Sequence, residues 1–359
     1  MAKKFRKIGI LTSGGDAPGM NACVKAVVNK ACSMGIEVVG IIGGYAGLIN
    51  GNVETLTHRT VSGVVGRGGT VLYSSRCPEF QTEEGMQKAM ETCRLHEIDA
   101  LICIGGDGTF RGATAMTEHG IPSIGLPGTI DNDITATDYT IGFDTAVNTT
   151  VTVIDQVRDT CESHARCNVV EVMGRYCGQI ALYSAIASGA VAVAIAEMPF
   201  DEAATLEKIR KLRAAGKRGM VVVVAEGVVT EDGKPYSEVL KEKINNETGV
   251  ESKFMRLAHS VRGGNPKMKD RTIASEMGVR AVELLVEGKS NLVVCELDGE
   301  IVPVDIAWAL IADRMYKGTL QEGDLDRFTE EQLDAMKQLV EKRRNEIARL
   351  YKIAQDVSF

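Results

Sequence analysis

Strand-length apolar runs that are continuous rather than alternating recur along most of this chain: KIGILT, EVVGIIGG, DALICIGG, IPSIGLPG, NVVEVMG, VAVAIAEM and MVVVVAEG, several separated by segments of helical spacing. A strand exposed on one face alternates apolar and polar residues, whereas one that is apolar throughout is covered on both faces, as in a parallel sheet between helices. The pattern predicts an α/β chain of two α/β/α domains with mainly parallel sheets. Length agrees, at 359 residues against roughly 150 per domain. The expected division is 1–141 plus about 270–307 for one domain and 142–269 plus about 308–359 for the other. Near the end, NLVVCELDGEIVPV reads as a hairpin turning at Asp298 and Gly299. The last stretch, EEQLDAMKQLVEKRRNEIARLYKIAQ, reads as an amphipathic helix whose basic face is solvated or serves an oligomer contact.

Apolar residues make up 44 % of the chain and charged ones 25 %, and no apolar run approaches the roughly 20 residues of a membrane span. The opening MAKKFRKIGILT joins basic charge to an apolar stretch too short for a leader, and it reads as a first strand. A net charge of −7 argues against nucleic acid or an anionic membrane as partner, since both demand clustered Lys and Arg. Nine cysteines without a C-x-x-C, and five scattered histidines, speak against disulfides and structural zinc and for free thiols in a reducing cytosol. An anionic substrate must then be gripped by local positive charge.

Ligands of parallel α/β sheets bind beyond the carboxyl ends of the strands. Four glycine-rich turns occupy that position: TSGGDAPGMN (12–21), GGDGTFRG (105–112), PGTIDND (127–133) and MGRYCG (173–178). Gly106 and Gly108 would let backbone N–H groups approach a phosphate at the start of a helix. Asp107 would repel that phosphate unless a divalent cation stood between them, an arrangement usual for Mg²⁺. The chain has no G-x-x-x-x-G-K-[ST], so this is not a P-loop. Two other readings stay open on these residues alone: Asp107 as the N-cap of a tight strand-to-helix turn, and a loose dinucleotide fingerprint with Asp131 on a ribose. In TIDND, Asp131, Asp133 and Thr129 suit a hydroxyl-proton acceptor and a metal organiser, or else an Asx-turn. Arg76, Arg166, Arg175, Arg262 and Arg271 lie near strand ends or glycine turns, where guanidinium groups can fork onto phosphate.

ILTSGGDAPGMN, GGDGT, GLPGTIDND, MGRYCG and RGGNP, in this order, resemble the 6-phosphofructokinase family, from about residue 6 to about residue 310. GGDGT is shared with other kinases; PGTIDND followed by MGRYCG is not. The resemblance implies a phosphofructokinase-like fold with a nucleotide-binding first domain and a sugar-phosphate-binding second one. It implies transfer of the γ-phosphoryl group of MgATP to the 1-hydroxyl of fructose 6-phosphate in the cytoplasm, as a step of glycolysis, by a homotetramer with active sites shared between subunits. By the same likeness Asp131 is the general base with Thr129 beside it, and Arg175 and Arg76 stabilise charge. Asp107 carries the Mg²⁺, while Gly15, Arg76, Cys77, Gly106, Asp107, Gly108 and Thr109 hold the nucleotide. Thr129, Ile130, Asp131, Met173, Gly174, Arg175 and Glu226 meet the sugar phosphate. Arg166, Arg262 and Arg271 hold its 6-phosphate, with Arg166 and Arg262 coming from a neighbouring subunit.

The family divides between ATP and pyrophosphate as phosphoryl donor. Pyrophosphate users usually carry aspartate at the position of Gly108, where it repels the α-phosphate, and lysine at the position of Gly128; the two glycines here imply ATP. The effector site for ADP and phosphoenolpyruvate in bacterial members is basic with one glutamate. The matching positions here are Lys25, Asn29, His58 beside Arg59, Arg158, Val191, Lys217 and Arg218, a set thinned in positive charge and lacking the acid. Weak control by those effectors is the expectation.

Overall fold

The computed structural model describes residues 5–358. Two compact units divide the chain, one running to Ile130 and resuming over Ile134–Asp144 and Arg262–Val340, the other comprising Asp131–Asp133, Thr145–Val261 and the chain from Glu341 on. The first unit opens with β1 (Lys7–Thr12), α1 (Met20–Ser33), β2 (Glu37–Ile41), α2 (Gly44–Ile49) and β3 (Val53–Leu56), followed by α3 (Glu83–Leu95), β4 (Ala100–Gly105), α4 (Asp107–Glu118) and β5 (Ser123–Pro127). Helix α5 (Phe143–His164) carries the chain into the second unit. There follow β6 (Cys167–Val172), α6 (Gln179–Ser188), β7 (Ala192–Ala194), α7 (Glu202–Ala214), β8 (Met220–Ala225), α8 (Tyr236–Thr248) and β9 (Ser252–Arg256). The return supplies α9 (Met268–Val286), β10 (Leu292–Leu297), β11 (Glu300–Asp305), α10 (Ile306–Lys317) and the start of α11 (Glu330–Asp356), which passes into the second unit at Glu341.

The sheet of the first unit has the order β11-β10-β5-β4-β1-β2-β3, parallel except where β3 pairs with β2 and β11 with β10. That of the second unit, β7-β8-β6-β9, is parallel throughout. Continuous apolarity has the consequence expected of it. Leu11, Val39, Ile41 and Leu101 share one core with Tyr45, Leu48, Phe110, Met116 and Ile306. The intervening residues Ile8, Ile10, Ile102 and Ile104, on the opposite face, are wholly buried as well. Each apolar run is a strand, and the hairpin turns at Asp298 and Gly299 with φ of 51° and 87°, the paired positive values of a tight two-residue connection.

Two strands lie outside the runs read from the sequence. VETL of β3 and SKFMR of β9 are polar because each is the edge of its sheet, with Glu54, Thr55 and Lys253 facing solvent. The division of the chain also differs from expectation: residues 308–340 group with the first unit, not the second. Helix α10 follows directly from β11 and buries Ile306 and Ala309 in the first core, and Ile311, Ala312 and Met336 form a satellite cluster beside them.

Candidate active site

In the first unit β4 ends at Gly105 and α4 begins at Asp107, so that Gly106, with extended backbone, takes the N-cap position without a side-chain bond. Asp107 is therefore not the cap, as one reading of GGDG had it, but the first helical residue. A Cβ added to Gly106 or to Gly108 would meet no atom within 4 Å. The helix start is thus open to an anion, where its unsatisfied N–H groups and dipole favour one. Below it the turn is fixed: Thr109 is buried, and its backbone oxygen accepts from the Tyr45 hydroxyl at 2.7 Å.

Lys317, the last residue of α10, places Nζ 3.7 Å from Asp107 Oδ2 and 2.6 Å from Asp313 Oδ2. Asp313 is buried and also accepts from Thr135 Oγ1 at 2.9 Å. An ammonium group thus stands beside the carboxylate to which the sequence assigns a cation. No motif announced Lys317 or Asp313; only the packing of α10 against α4 brings them here.

The first glycine turn is laced to the segment that carries Arg76 and Cys77. Ser74 Oγ donates to Gly14 O at 2.8 Å, and Thr12 Oγ1 donates to Tyr73 O at 2.7 Å. Arg76 is exposed and Cys77 half-buried against the core. Arg262 lies over the same turn: its Nη1 donates to Asp16 O at 3.3 Å, and a Cβ on Gly15 would stand 2.7 Å from it. Arg271 is steered by its Nε, which donates to Pro266 O at 2.6 Å. Thr129 O accepts from Thr140 Oγ1 at 2.6 Å, and Ile130 is wholly buried. Residues beyond the TIDND turn are pinned by buried Asp270, which accepts from Tyr139 Oη at 2.5 Å and from Gly142 N at 2.7 Å.

The second unit gathers Asp131 with the MGRYCG loop. Asp131 Oδ2 lies 3.5 Å from Arg175 Nε. Asn132 and Gln179 form a reciprocal pair: Asn132 Nδ2 donates to Gln179 Oε1 at 2.7 Å, and Gln179 Nε2 donates to Asn132 O at 3.4 Å. Glu226 Oε1 accepts from both Gly174 N (3.2 Å) and Arg175 N (2.9 Å), and so props the loop. Gly174 has φ of 142°, and a Cβ there would stand 2.4 Å from Cys177 O, so the turn admits no side chain. Met173 is buried at its start. Glu197 Oε1 accepts from Gly178 N at 2.8 Å, and its burial holds the carboxyl above its ordinary pKa. Sequence reasoning missed Gln179 and Glu197, although the first directly follows MGRYCG and the second ends the VAVAIAE run.

Elsewhere in this unit Arg166 Nε donates to Glu251 Oε2 at 2.8 Å, and Lys253 stands 3.0 Å from Glu251 Oε1. Bonds to Arg166 and Lys253 lower the Glu251 pKa to about 2. Of the effector positions, Val191 is buried, Arg218 donates to Glu162 O at 2.9 Å and to Ser163 O at 3.0 Å, and in the first unit His58 Nδ1 bonds Asn29 Oδ1 at 2.7 Å.

Two parallel α/β units, one presenting an open helix N-terminus with an acid at its head and the other a buried acid faced by arginine, define a phosphotransferase architecture. The family model described as phosphofructokinase matches residues 7–285, and the chain belongs to that family. It is 47 % identical over 318 residues to the ATP-dependent 6-phosphofructokinase 1 of Clostridium perfringens, covering 89 % of this chain and 98 % of that one. With the ATP-dependent 6-phosphofructokinase of Bacillus subtilis the identity is 47 % over 302 residues, covering 84 % and 93 %. Among solved structures, phosphofructokinase from Saccharomyces cerevisiae superposes with a TM-score of 0.83 at 31 % identity, over 89 % of this chain but 47 % of the yeast chain. A pyrophosphate-dependent phosphofructokinase from Marinobacter aquaeolei, with a TM-score of 0.74 at 20 % identity over 94 % of this chain and 92 % of that one, shares the fold. Among the described residues no helix is long and apolar enough to cross a membrane.

Proposed function

We propose that this chain transfers the γ-phosphoryl group of ATP to the 1-hydroxyl of fructose 6-phosphate, giving fructose 1,6-bisphosphate and ADP. The observation that carries the reading is Asp131, a carboxylate almost wholly removed from solvent yet faced by the Arg175 guanidinium. In this role Asp131 accepts the proton of the sugar hydroxyl, and Thr129 orients that hydroxyl. Arg175 stands where negative charge grows on the transferring group, and Arg76 supports it from the donor side.

The donor belongs to the first unit. Gly15, Gly106, Gly108 and Thr109 present backbone to the phosphates, and Arg76 and Cys77 flank the nucleotide. Mg²⁺, bound by Asp107, would offset charge on the β- and γ-phosphate oxygens. The residues fit such an ion: one accessible carboxylate and an open cradle leave most of its ligand positions to phosphate and water. Lys317, held by Asp313, offsets the charge of Asp107 from 3.7 Å away.

Most residues assigned to the acceptor lie in the second unit, while Ile130, Arg262 and Arg271 lie in the first. Met173, Gly174 and Arg175 border the sugar, Ile130 backs the turn that carries Asp131, and Glu226 spends Oε1 on the loop, leaving Oε2 for a sugar hydroxyl. Arg271 grips the 6-phosphate with Arg166 and Arg262, the last two acting on a neighbouring subunit in a homotetramer. The thinned effector set, with Val191 in place of an acid, supports weak control by ADP and phosphoenolpyruvate.

Choice of ATP over pyrophosphate rests on two glycines. Space is open above Gly108, as a nucleotide's α-phosphate needs. A Cβ on Gly128 would come within 2.9 Å of Ile104 and 3.0 Å of Met20, so a lysine there would force the core to repack. Parallel assays with ATP and with pyrophosphate, with and without Mg²⁺, test the reading: turnover is expected with ATP and Mg²⁺, and turnover with pyrophosphate would overturn it.

A further inference from the structure

One flank of the first unit carries a cleft that phosphoryl transfer does not use. It lies between α4 and α10 and holds about 340 Å³, inside the roughly 300 to 1,000 Å³ usual for small-molecule sites. Apolar side chains including Ile311 line it, together with Arg111, Arg314, Arg327, Glu118 and Asp324. Asp324 is already committed. Its Oδ1 accepts from Arg314 Nη1 at 2.7 Å, and the Gln321 N–H and this guanidinium hold its pKa low. Among the described residues neither Arg111 nor Arg327 lies within ion-pair distance of a carboxylate; Arg327 rests on the ring of Phe328, 5.5 Å from its centroid. With Arg314 and Asp324 offsetting each other, Arg111 and Arg327 against Glu118 leave this lining one positive charge in excess beside its apolar wall, in a chain of net charge −7. Their planar forks match phosphate oxygens, and the wall suits a carbon body.

We propose that this cleft is an effector site for a small organic phosphate, separate from the donor cradle at the head of α4. The two walls are the helices whose ends form the Asp107–Lys317 pair. Arg111 follows Asp107 by one turn of α4, and Arg314 precedes Lys317 by one turn of α10, a distance of roughly 4 to 6 Å along each axis. A phosphate bridging Arg111 to Arg314 and Arg327 draws the two helices together one turn below that pair. It thereby resets the distance between the carboxylate meant for the metal and the ammonium that competes for it. Occupancy of the cleft is then felt as a change in affinity for MgATP, which is coupling through a shared element.

Calorimetric titration of the full chain tests this without any turnover, so its outcome is independent of the kinase reading. The probes are phenyl phosphate and glycerol 3-phosphate, with inorganic phosphate for comparison, each in the presence of fructose 6-phosphate and, separately, of MgATP. The organic phosphates should bind more tightly than inorganic phosphate under both conditions. In the double variant Arg111→Gln, Arg327→Gln their affinity should fall at least roughly tenfold, with an unchanged melting temperature. In steady state they should shift the half-saturating MgATP concentration of the parent and not of the variant. Four results would each overturn the proposal: no binding up to about 1 mM, binding undiminished in the variant, displacement by MgATP, or inorganic phosphate bound as tightly as its esters.

Discussion

Arg175 Nε stands 3.5 Å from Asp131 Oδ2, and the two side chains are opposites in exposure, 54 % for the arginine and 1 % for the aspartate. A carboxylate so placed is almost wholly screened from bulk water and has a guanidinium beside it. A low-dielectric setting strengthens both its hold on a proton donor and its attraction to the arginine.

Asp131→Asn keeps the shape of the side chain and removes the carboxylate proposed as the proton acceptor. Turnover should fall roughly 10² to 10⁴-fold with little change in KM for either substrate. Steady-state kinetics decide the matter, and an unaltered kcat would move the base to another residue.

Gly108→Asp has room for its side chain, and a carboxylate in the first turn of α4 is favourable to the helix. Folding should therefore be intact by circular dichroism and thermal melting, while ATP binding is lost through repulsion of the α-phosphate. Nucleotide affinity equal to the parent's would break the link between this glycine and the donor.

Glu251 takes the Nε of Arg166, and the rest of the fork faces the 6-phosphate in the role proposed for it. Removing the acid in Glu251→Gln should raise KM for fructose 6-phosphate several-fold and leave kcat close to the parent's. The same acid has its pKa lowered from 4.5 to about 2, so its contribution to stability is present above the ordinary carboxylate range and is lost as pH falls toward 2. The variant should show a shallower loss of melting temperature over that acid window.

Glu197 behaves in the opposite sense. Its Oε2 is buried without a hydrogen-bond partner, and burial raises its pKa above 4.5. Between the ordinary and the raised value, the folded chain therefore keeps a proton that the unfolded chain has released. The associated stability is full below the ordinary carboxylate range and declines as pH rises through the elevated value. Glu197→Gln retains an oxygen for Gly178 N–H but cannot ionise, and its melting temperature should stay level across that window. Parallel profiles for parent and variant would contradict this.

What could be read in advance follows from where the information resides. Buried strands such as β4 and β8 announce themselves because every residue faces apolar surroundings, and GGDG, TIDND and MGRYCG do so because tight turns at strand ends leave few residue choices. Edge strands β3 and β9 escaped because half of their contacts are with water. Lys317 escaped for a different reason: nothing in its neighbours along the chain specifies that α10 delivers it to Asp107. Gln179 bonds the amide and backbone oxygen of Asn132, and Glu197 takes the Gly178 N–H, services that many polar residues could perform and that therefore leave no motif. The assignment of 308–340 failed because α10 follows the hairpin into the first core, a matter of packing rather than pattern.

The brief passage of Asp131–Asp133 through the second unit has a genetic corollary. A gene segment encoding residues 145–261 would specify Arg175 without the acid it faces, and one ending at residue 130 would lack that acid too. The two units cannot be shuffled between proteins as independent cassettes, and a recombination breakpoint anywhere from 134 to 144 parts Asp131 from Arg175.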